Sequence, residues 1–335
     1  MTEPDLNESP AEAPTEDSNV QPRIIIGAVV GIIYGLIVRV IFGIDNSSDF
    51  LNTLTWSFLT LAPLTIGALT VYFTPPALYG SWARTFLLPW IACIGFLVMV
   101  GIFAMEAFIC VWMASPIFFL VSGIGGVLMR LLLNFRGGRT PTVILTAFMI
   151  APFVASPLET RLLTVPDSYR TVTTDIIIRA SPQVIWDEIV RVPEIQPHER
   201  RLTFFQLMGI PQPIAATLDV DGAGGLRHST YANGMAFNER VLAWHPQETL
   251  HFTITVDPTA PLPMPFNEIN GLYFAMIDGK YEIVPLPSGD VLLRLSSTHR
   301  LSTSFNAYGG LWTDGILYDL QGYILGIIKT RAESR

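Results

Sequence analysis

Cysteine is nearly absent: the 335 residues contain only Cys93 and Cys110, both in the first half. The second half has none, which excludes a disulfide framework there. Charge is scarce as well, at 14% of residues, with 20 Lys and Arg against 28 Asp and Glu. No basic cluster is available to neutralise a phosphate backbone, so a nucleic-acid partner is excluded. The histidines His198, His228, His245, His251 and His299 are scattered, without Cys-x-x-Cys or His-x-x-x-His spacing, so no metal site is expected. No motif for a cofactor or for catalysis occurs, and no catalytic residue can be named. The N-terminus lacks the basic opening of a signal peptide: Glu3, Asp5, Glu8, Glu12, Glu16 and Asp17 precede the first arginine, Arg23. Residues 1–22 read as a disordered acidic tail, too polar to fold.

Apolar residues are abundant, at 50% of the chain with a mean hydropathy of +0.44, and they are concentrated in one half. A helix crosses the hydrocarbon core with about 20 apolar residues. Ile24–Ile44, Leu51–Phe73, Phe86–Phe103 and Ser115–Leu133 reach that length, and Thr142–Ser156, bounded by Pro141 and Pro157, is a shorter fifth. Residues 23–157 are therefore expected as a helical membrane region of five spans, with four as the alternative. With five, Arg23, Arg84, Arg130, Arg136 and Arg139 fall on the N-terminal side, while Arg39, Asp45, Asp49 and Glu106 fall opposite. Arginine bias then puts the N-terminus in the cytoplasm and the C-terminal domain outside. With four spans the domain is cytoplasmic. Gly27, Gly31 and Gly35 form overlapping Gly-x-x-x-Gly steps with two readings: a homodimer seam, or packing against a helix of the same chain.

After a linker at 158–169 the pattern becomes that of a water-soluble domain, residues 170–335. Thr174–Ala180 reads as a strand, and Ser181 caps a helix over Pro182–Val190. Pro193, Pro197, Pro211 and Pro213 break the next stretch into short helical turns and loop. Strands are expected at Gly225–Ala232, Met235–Trp244, Thr249–Val256, Leu272–Val284 and Val291–Leu301. Turn signals stand at Asn233-Gly234, Asp278-Gly279 and Pro287 to Gly289. From Asn306 to about Glu333 the apolar residues Trp312, Ile316, Leu320, Tyr323, Ile324, Ile327 and Ile328 recur at helical spacing. A sheet with one apolar face must be covered, and this helix is the only element long enough to cover it.

The segments Ile178-Arg-Ala-Ser-Pro-Gln-Val-Ile-Trp-Asp187, Gly222-Ala-Gly-Gly-Leu-Arg227, Phe237-Asn-Glu-Arg-Val241 and the helix Trp312…Asp319-Leu-Gln321…Ile328-Lys329 resemble the SRPBCC superfamily. This is the START-like, helix-grip group that includes polyketide cyclases, dehydrases and lipid carriers. The resemblance covers residues 170–335 and none of the membrane half. It implies an α+β domain, a curved antiparallel sheet around a long C-terminal helix, with a cavity for a hydrophobic small molecule.

Alternation in Val291–Leu301 puts Leu293, Leu295, Ser297 and His299 on one face, so His299 is either a polar group in the cavity or a strand-end histidine bonded to backbone or water. Glu239 shares a face with Phe237 and Val241, and Arg227 on the neighbouring strand is its natural partner. Asp319 lies at the edge of the helical stripe near Trp312 and Tyr323, facing the cavity or capping a turn. Phe237, Glu239, Leu293, Leu295, His299, Trp312, Asp319 and Tyr323 are the candidate ligand contacts; Trp244 and Tyr281 read as core. The loop Pro258–Phe266 is stiff and apolar: a connector, an element at the cavity mouth, or a segment that dips into the membrane interface with Met264 and Phe266 on lipid. Three function classes remain: a membrane-anchored binding protein for a lipid or other apolar molecule, a cyclase or dehydrase, and a ligand-free interaction module. Tethering beside the bilayer favours the first.

Overall fold

A computed structural model describes residues 21–43, 55–106, 108–135, 142–260 and 269–335. The acidic tail, Asp45, Asp49, Arg136, Arg139 and most of the Pro258–Phe266 loop lie outside the described residues. The chain forms two compact units: one of residues 1–53, 57–99 and 117–155, and one of 54–56, 100–116 and 156–335.

The first unit is helical. Its elements include α1 (Gln21–Gly43), a π-helical turn at Ser57–Leu61 running into α2 (Ala62–Tyr72), α3 (Trp82–Leu87) and α4 (Pro89–Ile102). It also holds most of α5 (Phe108–Phe135) and of α6 (Thr142–Leu162). Among the described residues, three helical stretches are long and apolar enough to cross a membrane: Ile25–Gly43, Trp82–Ile102 and Phe108–Phe135. Two more are apolar but shorter, Ser57–Tyr72 and Val143–Glu159. The expected start of the second span at Leu51 lies outside the described residues, and the fifth helix continues past Ser156 to Leu162.

The glycine stripe of α1 is occupied from within the chain. A Cβ on Gly27 would stand 2.5 Å from the Thr70 carbonyl oxygen, one on Gly31 3.1 Å from Ala92, and one on Gly35 2.8 Å from the Phe96 ring. Small residues let α1 approach α2 and α4 closely. The second reading, packing within one chain, describes these contacts. Several hydroxyls are satisfied within their own helices. Thr65, Thr70 and Thr74 each donate to the carbonyl four residues earlier. Arg130 donates to Thr85 Oγ1 at 2.7 Å and lies over the Trp82 ring.

The second unit is built on an antiparallel sheet. Its strands are β1 (Ser168–Ile178), β2 (Pro213–Leu218), β3 (Leu226–Tyr231), β4 (Ala236–His245), β5 (Thr249–Thr253), β6 (Thr255–Val256), β7 (Phe274–Pro285) and β8 (Val291–Leu301). Their order is β1-β8-β7-β5-β4-β3-β2, with β6 beside β4. Helices α7 (Pro182–Val190) and α8 (Phe204–Leu207) lie between β1 and β2, and α9 (Asn306–Glu333) closes the chain. Strict alternation in β8, buried at every odd position from Val291 to Leu301, follows from one face meeting α9 and the other facing water. The core between them includes Ile178, Ile185, Leu250, Leu293 and Leu325. This curled sheet around a long helix is the arrangement that the resemblance implies.

Three local readings need correction. β2 occupies a stretch expected as loop; Pro213 fits because the first residue of an edge strand needs no N–H in the ladder. β1 starts at Ser168, six residues before Thr174. Asp278-Gly279 is not a turn but lies within β7, next to a shift of register between Met276 and Asp278. The glycine there serves close packing, since a Cβ would stand 2.7 Å from the Phe252 ring. Asn233 and Gly234, both at positive φ, do form the turn between β3 and β4.

Candidate functional site

Between the inner face of the sheet and the middle of α9 lies a cavity of about 110 Å³. β7 and β8 supply Met276, Tyr281, Leu295 and Ser297, and α9 supplies Leu317, Leu320, Gln321, Ile324 and Ile328. Much of the remaining wall comes from β2 to β5, including Arg227, Ser229, Tyr231, Glu239 and Phe252, and Val192, Ile195 and Ile254 complete it. Most of these groups are apolar, as alternation along each strand requires of a face turned to a helix.

Two polar clusters interrupt the apolar wall. In the first, Arg227 and Glu239 sit opposite each other in the β3–β4 register and form an ion pair that is almost wholly buried. Ser229 Oγ donates to the same carboxylate. Arg227 also donates to the carbonyls of Val190 and Ile189 at 3.3 Å, and its guanidinium lies over the Phe252 ring. Burial is the largest single influence and works against the arginine charge, but the surrounding groups, the Glu239 carboxylate foremost, together raise the guanidinium pKa. Burial drives Tyr281 to about 12 and Tyr231 still higher, so both phenols are neutral. The second cluster centres on Gln321, whose amide donates to the Val172 carbonyl at 3.1 Å and to Ser297 Oγ at 2.9 Å. Its carbonyl oxygen accepts from Thr174 at 2.7 Å. A buried charge pair and a fully engaged amide give the wall direction without net charge.

Of the candidate contacts, Glu239 and Leu295 line this cavity. Leu293 is buried in the core beyond it, and Phe237 packs edge-on against Tyr231. Trp312 and Tyr323 belong to a separate cluster under α8, where Tyr323 meets the Phe205 ring. Asp319 accepts from the Phe205 N–H at 2.9 Å and so holds the first turn of α8. His299 faces inward as alternation requires, but at the strand end, where Nε2 lies 3.0 Å from Thr313 Oγ1. Sequence reasoning missed Gln321, Ser229 and Ser297 as site residues. Ser297 was legible from its place between Leu295 and His299, whereas a glutamine amid a helical apolar stripe gives no signal of which side it faces.

Neither a family model nor a curated protein matches the sequence. Several solved structures are similar to it. A START superfamily protein from Mycobacterium smegmatis has 12% identity, with 49% of this chain and 97% of that one covered and a TM-score of 0.33. Norcoclaurine synthase from Thalictrum flavum has 13% identity, 49% and 95% coverage, and a TM-score of 0.30. An uncharacterized protein from Rhizobium leguminosarum has 11% identity, 52% and 100% coverage, and a TM-score of 0.33.

His299 yields a pH prediction. Thr313 gives its own hydroxyl proton to the Gly310 carbonyl, so it accepts from Nε2–H of the histidine. Nδ1 is then a buried acceptor without a partner. Burial lowers the His299 pKa below its ordinary 6.5, with Asp314 opposing and Arg170 reinforcing the shift. A group with a depressed pKa binds fewer protons folded than unfolded, so its stabilising effect is complete above pH 6.5 and declines as pH falls below it. Thermal melts of wild type should show this acid-side decline, and His299→Gln should flatten it. An unchanged pH profile in the variant would exclude His299 as the source.

Proposed function

We propose that the chain is a membrane-anchored protein of the SRPBCC or START-like type whose C-terminal domain holds a lipid or another hydrophobic molecule between the sheet and α9. The observation that carries this reading is the cavity beside the Arg227–Glu239 pair. A merely structural core would close over such a void, because interiors pack at crystal-like density. The charges there cancel, so an ionic ligand head would bring an uncompensated charge into a dry site, which is costly. The matching ligand is neutral, apolar along most of its length, and carries a hydroxyl or carbonyl at one end. Such a volume is small beside the roughly 300–1,000 Å³ of drug-sized sites, so a lipid-sized ligand requires α9 to move off the sheet.

A cyclase or dehydrase needs an acid and a base at one place. His299 and Asp319 stand away from the cavity, and Glu239 is held by Arg227 and Ser229. Binding is therefore favoured over turnover.

The anchor is read as five spans with the domain extracytoplasmic. Residues 54–56, 100–116 and 156–335 form one unit, so α5 begins in it and α6 ends in it. Those two ends then share a side, which requires α6 to cross, and this supports five spans over four. A reporter fused after Arg335 should be active only if it functions outside the cytoplasm. Activity of a cytoplasm-only reporter would reverse the topology.

Leu295→Trp tests the ligand reading, because Leu295 lies mid-strand on the cavity wall. In a filled core the added ring should cost about 1–3 kcal/mol. In a ligand site it fills the ligand's space, so the melting temperature should hold while apolar material extracted from the purified full chain falls sharply. A large loss of stability with no ligand in wild type would favour the interaction module.

A further inference from the structure

The outer side of α9 carries a stripe that a water-facing helix does not need. Leu311, Gly315, Tyr318 and Gly322 recur four, three and four residues apart and share one face. Leu311 and Tyr318 are 71% and 60% exposed, and a Cβ on Gly315 or Gly322 would meet nothing within 4 Å. α8 lies beside this stripe, pinned by the Phe205–Asp319 bond and by Arg201 donating to the Gly322 carbonyl at 3.0 Å. Its segment adds Leu202, Phe204 and Leu207, which are 76%, 42% and 54% exposed. Single exposed apolar residues are ordinary, but a group of them on adjoining elements marks an interaction surface.

Two observations select the occupant. The first is charge at the rim. Arg200 and Arg201 form no ion pair among the described residues; their guanidiniums bond to the Ile195 and Gly322 carbonyls. The acids nearby are engaged: Glu199 pairs with Arg331, Asp314 with Arg170, and Asp319 accepts from Phe205. The second is continuity with an apolar helix of membrane-spanning length. Ile109 and Met113, in the first turns of α5, pack against the cluster of Phe205, Met208 and Tyr323 beneath α8. The Tyr308 hydroxyl donates to the Met113 carbonyl at 2.5 Å. Phe108 and Trp112 of the same turns form an exposed edge-to-face pair, as aromatics do at headgroup level.

We propose that this face of α8 and α9 rests in the interfacial layer of a bilayer containing anionic lipid, with Phe204, Leu207, Leu311 and Tyr318 among the upper acyl segments and Arg200 and Arg201 on lipid phosphates. It rests on the reading of the chain as membrane-anchored. The contact has a consequence for the cavity, because Leu320 and Ile327 belong both to the cluster under α8 and to the cavity wall. Docking thus brings lipid against the outside of a wall whose inside holds the ligand.

The test uses the full chain in vesicles of phosphatidylcholine with or without phosphatidylglycerol. In a Cys93→Ala, Cys110→Ser background, a fluorophore is placed at Leu207→Cys, at Leu311→Cys, or at Thr173→Cys on the outer face of the sheet. Lipids carrying a shallow nitroxide should quench the labels at 207 and 311, more strongly with phosphatidylglycerol, and spare the label at 173. Arg200→Gln and Arg201→Gln should each shift the docked fraction by roughly fivefold, with the shift suppressed by salt. Equal quenching at all three positions in protein that resists alkaline extraction would overturn the docking while leaving the anchor intact. Protein released by alkali would sink the anchor itself. A concentration-dependent disulfide between Leu207→Cys copies, without quenching, would assign the face to a second copy and overturn the proposal.

Discussion

Covering the sheet is the constraint on which the second unit depends. Seven strands in one path present a continuous apolar face, and exposing that face to water is the largest single penalty the domain must avoid. A single helix, α9, does much of the covering, aided by α7, while α8 packs on α9. One cylinder cannot fill a curved surface evenly. Leu293 and Leu325 are fully buried where side chains from both sides meet, whereas beside Gln321 and Tyr281 space is left. The residues that line the cavity are among those that hold the sheet and α9 together.

The polar groups at that space are best understood as fixed rather than reactive. A buried ion pair recovers its desolvation cost only when its geometry is good and its remaining hydrogen bonds are satisfied. Arg227 and Glu239 meet that condition through Ser229 and the carbonyls of Val190 and Ile189, which also tie β3 and β4 to the end of α7. Gln321 plays the corresponding part across the cavity, joining α9 to β1 and β8 through Val172, Thr174 and Ser297. Each cluster orients a wall and presents a directional edge toward the space between. Such an arrangement suits recognition of one polar atom on an otherwise apolar molecule.

Much of this was legible from the residues. The helix Pro182–Val190, the turn at Asn233-Gly234, the alternation of β8 and the Arg227–Glu239 pair all follow from local chemistry: a cap, a left-handed turn pair, a period of two, and a carboxylate needing a partner. What was not legible depends on distant neighbours. Asp278-Gly279 looks like a turn until Phe252 is known to press on it from the next strand. β2 is obscured by prolines that an edge strand tolerates. Asp319 stands between the cavity-lining Leu317 and Leu320 but faces the Phe205 N–H, and His299 lies two residues beyond Ser297 along β8; periodicity alone decides neither case.

The central claim is that apolar ligand occupies the space between β8 and α9. In-cell photocrosslinking reports on it directly, with a compact diazirine analogue of leucine at Leu320 on the cavity wall and, as control, at Leu292 on the outer face of β8. The account predicts that irradiation adds a discrete, neutral, lipophilic mass at position 320 and none at 292. Unmodified protein at 320 under conditions that label a neighbouring protein or solvent at 292 would contradict it.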